Sequence, residues 1–167
     1  MTERNTTKAT FTIERDYKAS PARVFKAFAD EQAKAKWFAG PDGWEEHQRQ
    51  CDFRVDGVEI LGGKHPSGVV SVFFCTYHDI VPDQRIVYAY RMELDGVPMS
   101  SSLASVELTP QGEGTHMTLT EYGVYFDGFR EGAHEGREHG TNWLMDKLGA
   151  SLEGAALPDL PPKSAKR

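Results

Sequence analysis

Apolar positions in this chain change period several times, and the changes mark its elements. Across Ala9–Ala19, Phe11, Ile13 and Tyr17 alternate with Thr12, Glu14 and Asp16, the pattern of a half-buried strand. Ser20-Pro21 then supplies an N-cap and a proline at the first helical position. Val24, Phe25 and Phe28 give the short helix Pro21–Ala29 its apolar face. Asp30 is placed to cap a second short helix reaching Lys36, and Gly40-Pro41-Asp42-Gly43 is a turn. From Trp44 the period is two again. Cys51, Phe53 and Val55 alternate with Gln50, Asp52 and Arg54; Asp56-Gly57 signals a hairpin, and Val58–Leu61 is its return strand. Val69–Ile80 is apolar on both parities, as a central strand should be. Ile86, Tyr88, Tyr90 and Met92 hold one phase through Arg85–Leu94, and Asp95-Gly96-Val97-Pro98 turns the chain. Ser102–Thr109 and Thr115–Tyr122 pair around Gln111-Gly112-Glu113-Gly114. Finally, Leu144, Leu148 and Leu152 fall four apart in Gly140–Glu153, with Met145, Ser151 and Ala155 beside them. Asp146, Lys147 and Glu153 lie off this stripe, so the segment is an amphipathic helix with something to cover.

The element order is strand, two short helices, six strands, long helix. Hairpin connections make the six-strand run an antiparallel meander, and such a sheet buries one face. The fold class is therefore α+β: a curved seven-stranded antiparallel sheet wrapped around the C-terminal helix, with two short helices between the first two strands. A wrap of this kind seldom closes tightly, which predicts a pocket between sheet and helix. Residues 9–154 form a single domain, flanked by flexible tails at 1–8 and 157–167. The second tail holds three prolines and a basic end, and is expected to add nothing to the core.

Composition narrows the function. A chain of 167 residues can bury a self-sufficient core. Its net charge of −6 counts against a nucleic-acid partner, which needs a basic face. No run approaches the ~18 apolar residues of a membrane span, and the first ten residues lack the apolar core of a signal peptide. Cys51 and Cys75 form no Cys-x-x-Cys pair; with the strand Val58–Leu61 between theirs, both are expected as free thiols. A reduced, cytoplasmic protein is the expectation.

Several stretches then resemble one family. They are Ser20-Pro21 with Val24-Phe25, Trp37-Phe38-Ala39-Gly40-Pro41, Asp52-Phe53-Arg54-Val55, Ile80 to Tyr88, and Gly114-Thr115. In order and spacing they are similar to the bacterial homologues of the activator of the heat-shock chaperone ATPase. These sit in the START and polyketide-cyclase superfamily, whose fold is called helix-grip, and the resemblance runs from Ala9 to Glu153. Glu121-Tyr122-Gly123-Val124-Tyr125-Phe126-Asp127-Gly128 with Arg137-Glu138-His139-Gly140-Thr141 looks like one bacterial branch. Many relatives begin the long helix with Gly-Trp; here Thr141 stands in that place and Trp143 follows, roughly 200° round the helix.

The candidate chemistry is polar residues in an apolar setting. Glu121 is in phase with Met117 and Leu119, so a core-facing strand carries the carboxylate inward, where it must be paired or protonated. Arg137 or His139, on the segment returning over the sheet, is the expected partner. Gly128–Gly140, with glycines at every fourth position, reads either as a mobile gate or as a solvated connector. His134 and His139 are five apart, not the four that place two ligands on one helical face, so no metal and no cofactor is expected. The expected cavity lining is Trp37, Phe38, Phe53, Phe73, Tyr88, Tyr90, Met92, Leu119, Leu144 and Leu148, with Glu121, Arg137 and His139 as polar anchors. The resemblance implies binding of a small, hydrophobic or amphipathic ligand there. An aromatase/cyclase-like enzyme using Glu121, a co-chaperone-like protein binder, and a homodimer stay open.

Overall fold

The computed structural model describes residues 4–127 and 132–161. Its elements in chain order are β1 (Thr6–Tyr17), α1 (Pro21–Ala29), α2 (Glu31–Ala35), β2 (Glu45–Cys51), β3 (Val58–Lys64), β4 (Val70–Val81), β5 (Arg85–Leu94), β6 (Val97–Gln111), β7 (Gly114–Phe126) and α3 (Ala133–Glu153). The strands form one sheet in the order β1-β7-β6-β5-β4-β3-β2, antiparallel throughout. This is the helix-grip arrangement. β3 lies between the strands of Cys51 and Cys75, and both thiols are free.

Local chemistry explains the boundaries. The Ser20 hydroxyl accepts from the Arg23 amide and the Asp30 carboxylate from that of Ala33, capping α1 and α2 in turn. At the β5–β6 hairpin both Asp95 and Gly96 have positive φ, the conformation a tight two-residue turn between twisted strands requires. Bulges at Glu46/Gln48, Tyr77/Asp79 and Met92/Glu93 add twist and bend the sheet around its concave face.

The concave face is the core. Phe11, Ile13, Tyr17, Tyr77, Ile86, Val106, Met117 and Leu119 point into it, and Met145 and Leu148 of α3 meet them. The C-terminal half of α3 is fastened to β1. The Tyr17 hydroxyl donates to the Met145 carbonyl (2.7 Å), and Arg15 holds Asp146 and Asn142. Gly149 allows this approach, since a Cβ there would sit 3.0 Å from the Tyr17 ring. Arg23 of α1 donates to the Leu152 carbonyl and closes the helix end.

Several features differ from the sequence reading; the hairpin strands β6 and β7, for instance, extend to Val97 and Phe126, beyond Ser102 and Tyr122. β2 stops at Cys51 instead of running to Val55, because residues 52–57 close on themselves: Arg54 pairs with Asp52, and the Gly57 amide bonds the Arg54 carbonyl. Val55 is left exposed. The first strand starts at Thr6, three residues earlier than expected. Helix α3 starts at Ala133, so Gly136 and Gly140 are helical; Gly128–Glu131, part of the supposed gate, lies outside the described residues. The chain after α3 does pack: the Trp143 indole donates to the Pro158 carbonyl and His139 Nε2 to that of Pro161.

Leu148 is fully buried at the centre of the helix–sheet contact. Leu148→Ala is expected to destabilise the protein by about 2–5 kcal/mol through the lost side chain and its cavity. Urea melts measure this, and a loss under about 1 kcal/mol would contradict the helix's role as the sheet's cover.

Candidate functional site

A cavity of ≈ 570 Å³ lies between the sheet and the N-terminal part of α3. Trp37 and Phe38 follow α2 into one wall; Phe73 comes from β4, and Tyr88, Tyr90 and Met92 from the single inward phase of β5. Leu119 and Glu121 of β7 and Arg137 and Leu144 of α3 complete the residues that the sequence had placed here. Exposed Gly40, Glu46 and Leu160 mark where the cavity meets solvent. The α3 side of the lining includes Gly136 and Gly140, where the absence of a side chain leaves room.

Three expected members lie elsewhere. Phe53 sits in the 52–57 loop, edge-on to Phe25 and Tyr77, because β2 ends before it. Leu148 is sealed in the helix–sheet contact, too deep to border open space. His139 is turned to the Pro161 carbonyl and takes no part in holding Glu121.

Two polar clusters face the cavity. In the first, the Tyr90 hydroxyl donates to Glu121 Oε1 at 2.6 Å, Arg137 donates to the Tyr90 oxygen at 3.0 Å and to Ser100 Oγ at 2.8 Å, and the guanidinium lies 3.6 Å from Glu121 Oε1. Tyr90 and Tyr125 also sit beneath the guanidinium, each 5.4 Å from it. Glu121 thus has the cationic neighbour expected, yet burial still raises its carboxyl above the ordinary carboxylate value. The Tyr90 hydrogen bond and the Arg137 charge pull the other way without cancelling that cost. Ser102, whose buried Oγ has no well-formed hydrogen bond among the described residues, adds a weaker pull on the same carboxylate.

The second cluster was missed in the sequence. Lys34 Nζ donates to Glu59 Oε1 at 2.6 Å and to the Tyr77 oxygen at 3.1 Å, while the Tyr77 hydroxyl donates to the same Glu59 oxygen at 2.8 Å. All three are buried, and the ammonium also lies 4.9 Å from the Phe38 ring centre. Burial drives the Tyr77 hydroxyl far above its usual value, so it serves as a donor and not as an acid. Cys51 and Cys75 flank Glu59 in register, and burial pushes their thiols up to about 11 and about 12. The available signal was Glu59 in phase with Leu61; it was masked because Val58 and Ile60 make the opposite parity apolar too. Lys147, read as off the helix stripe, is likewise buried, reaching the Ala39 carbonyl across the Trp143 ring.

The model for the family described as activator of Hsp90 ATPase homolog 1-like protein matches residues 18–153. The chain belongs to this family. Among solved structures of similar proteins, Mll3558 from Rhizobium loti is 46% identical, covering 88% of this chain and 99% of its own, with a TM-score of 0.80. A protein from Rhizobium leguminosarum is 38% identical over 92% of this chain and 99% of its own, at a TM-score of 0.86. CV1439 from Chromobacterium violaceum is 27% identical over 90% and 98%, at 0.71. Comparison with curated proteins found no match. The family thus shares the START-like helix-grip fold with this chain, and no helix among the described residues is long and apolar enough to cross a membrane.

Two predictions concern the clusters. Lys34→Met strips a buried carboxylate of its cation and is expected to cost about 3–5 kcal/mol, whereas adding Glu59→Leu should recover most of that loss. Urea melts of both variants test it; a double variant as unstable as the single would refute an isolated ion pair. The second follows from the raised Glu121 carboxyl. A folded-state value above the unfolded one stabilises fully below the unfolded value, about 4.3, and the gain is lost as pH rises through the folded value. Relative to Glu121→Gln, the native protein should therefore lose stability as pH rises from 4 to 8. A pH-independent difference between the two would contradict the burial cost.

Proposed function

We propose that the protein binds a small, largely apolar molecule in the cavity between the sheet and α3. The observation that carries this reading is the cavity itself: ≈ 570 Å³, walled mainly by Trp37, Phe38, Phe73, Tyr88, Met92 and Leu119. That volume lies in the range of small-molecule sites, about 300–1,000 Å³, and its mix of apolar wall with a few fixed polar groups is theirs as well. Belonging to a family with a START-like fold supports the same reading. The polar clusters argue for binding over catalysis. Glu121, which a cyclase-like reaction would use, already accepts the Tyr90 hydroxyl, and Tyr90 and Tyr77 are pushed up by burial beyond use as acids.

Native mass spectrometry of freshly purified protein should show a co-purified small molecule or one-to-one uptake of the neutral probe N-phenyl-1-naphthylamine. Met92→Trp fills the cavity and should weaken probe binding at least tenfold. Leu103→Trp, on the exposed convex face, should leave it unchanged. Equal binding by native protein and Met92→Trp would place the probe elsewhere and sink the proposal.

A further inference from the structure

Charge balance in the cavity lining, together with one lining hydroxyl that bonds no described residue, narrows the class of ligand. Among the described residues, five charged ones line the cavity: Lys34, Glu46, Glu59, Glu121 and Arg137. Every one is paired within the protein, Lys34 with Glu59, Arg137 with Glu121, and Glu46 with Arg49. Among the described lining residues a ligand carboxylate would therefore meet no spare cation. Near Arg137 it would face the Glu121 carboxylate across the same guanidinium, and near Lys34 it would compete with Glu59 at 2.6 Å. An added charge in such a setting is uncompensated and costly. A ligand ammonium fares no better, since both buried carboxylates are already taken by cations.

Neutral hydrogen-bonding capacity, by contrast, is left over. Tyr88 lies in the lining between the two clusters, its ring 6.1 Å from that of Tyr77 and 6.0 Å from that of Tyr90. It is half-buried and makes no hydrogen bond among the described residues, so its hydroxyl is left to solvent or to a molecule in the cavity. The hydrogen bonds that Glu59 accepts from Lys34 and Tyr77, and the one that Glu121 accepts from Tyr90, all fall on Oε1, which leaves acceptor capacity on Oε2. A free donor–acceptor hydroxyl beside two carboxylates suits a ligand that brings O–H groups and no charge.

We infer that the cavity selects a neutral, hydroxyl-bearing apolar molecule over a carboxylic acid of the same frame, with the Tyr88 hydroxyl as the residue that reads the ligand's hydroxyl. This rests on the cavity being the binding site. Three probes sharing one frame separate the two ideas: 4,4′-dihydroxybiphenyl, 4,4′-dimethylbiphenyl and biphenyl-4,4′-dicarboxylate, titrated at pH 7.5 by intrinsic fluorescence and calorimetry. The diol is expected to bind at least tenfold tighter than the dicarboxylate. Tyr88→Phe, which removes no bond within the described fold, should weaken the diol at least threefold and leave the dimethyl compound unchanged. A dicarboxylate within tenfold of the diol, or a diol indifferent to Tyr88→Phe, overturns the inference while leaving the cavity reading intact. Binding by none of the three removes both.

Discussion

The structure depends on how α3 is seated. Only its C-terminal half is pressed to the sheet, with Leu148 and Met145 buried there, Tyr17 bonded to its backbone and Gly149 permitting contact with the Tyr17 ring. A helix seated at one end on a sheet leaves room for a cavity under its other end. The N-terminal half is not buried in the same way: none of residues 133–142 is fully buried. What holds it is a long side chain: Arg137 spans the gap to Tyr90 and Ser100 and lies beside Glu121. The cavity is thus not a packing defect but the space that a one-ended seat and a polar strut enclose.

That geometry explains why the cavity's polar groups come as closed sets. A cation reaching over an apolar gap has to be matched, since an unpaired guanidinium or ammonium in that setting would cost several kcal/mol. Arg137 is matched on the α3 side and Lys34 on the α2 side, each by a carboxylate that also accepts a tyrosine hydroxyl. The two clusters brace the two helical walls against the same sheet. Bracing and ligand recognition therefore use the same side chains, and a change at either cluster alters both.

Much of this was written in one dimension. The Leu144–Leu148–Leu152 stripe, the phase Met117-Leu119-Glu121 and the phase Ile86-Tyr88-Tyr90-Met92 each follow from a single period, and the hairpin turns carry the strand order. Arg137 could be placed because the chain has only one route back over the sheet. Lys34–Glu59 could not, since Lys34 sits on a five-residue helix with no usable period and Glu59 on a strand apolar on both faces. Lys147 was misplaced for a related reason. Its cover is supplied by Ala39 and the Trp143 ring rather than by the helix's own stripe. Phe53 failed because alternation continued past the point where Asp52 and Arg54 fold the backbone on itself.

The glycines of α3 carry a consequence for how such a cavity can change. Gly136 and Gly140 stand on the face that borders it, and nothing lies within 4 Å of where a Gly140 Cβ would be. Alanine in place of a helical glycine stabilises by roughly 1 kcal/mol, so each of these positions gives up helix stability for open space. Larger residues there would strengthen the helix and shrink the chamber in a single step, without disturbing the Leu148 seat. Capacity and robustness are set against each other by the same few atoms, and the helix works as a volume dial that substitutions can turn one notch at a time.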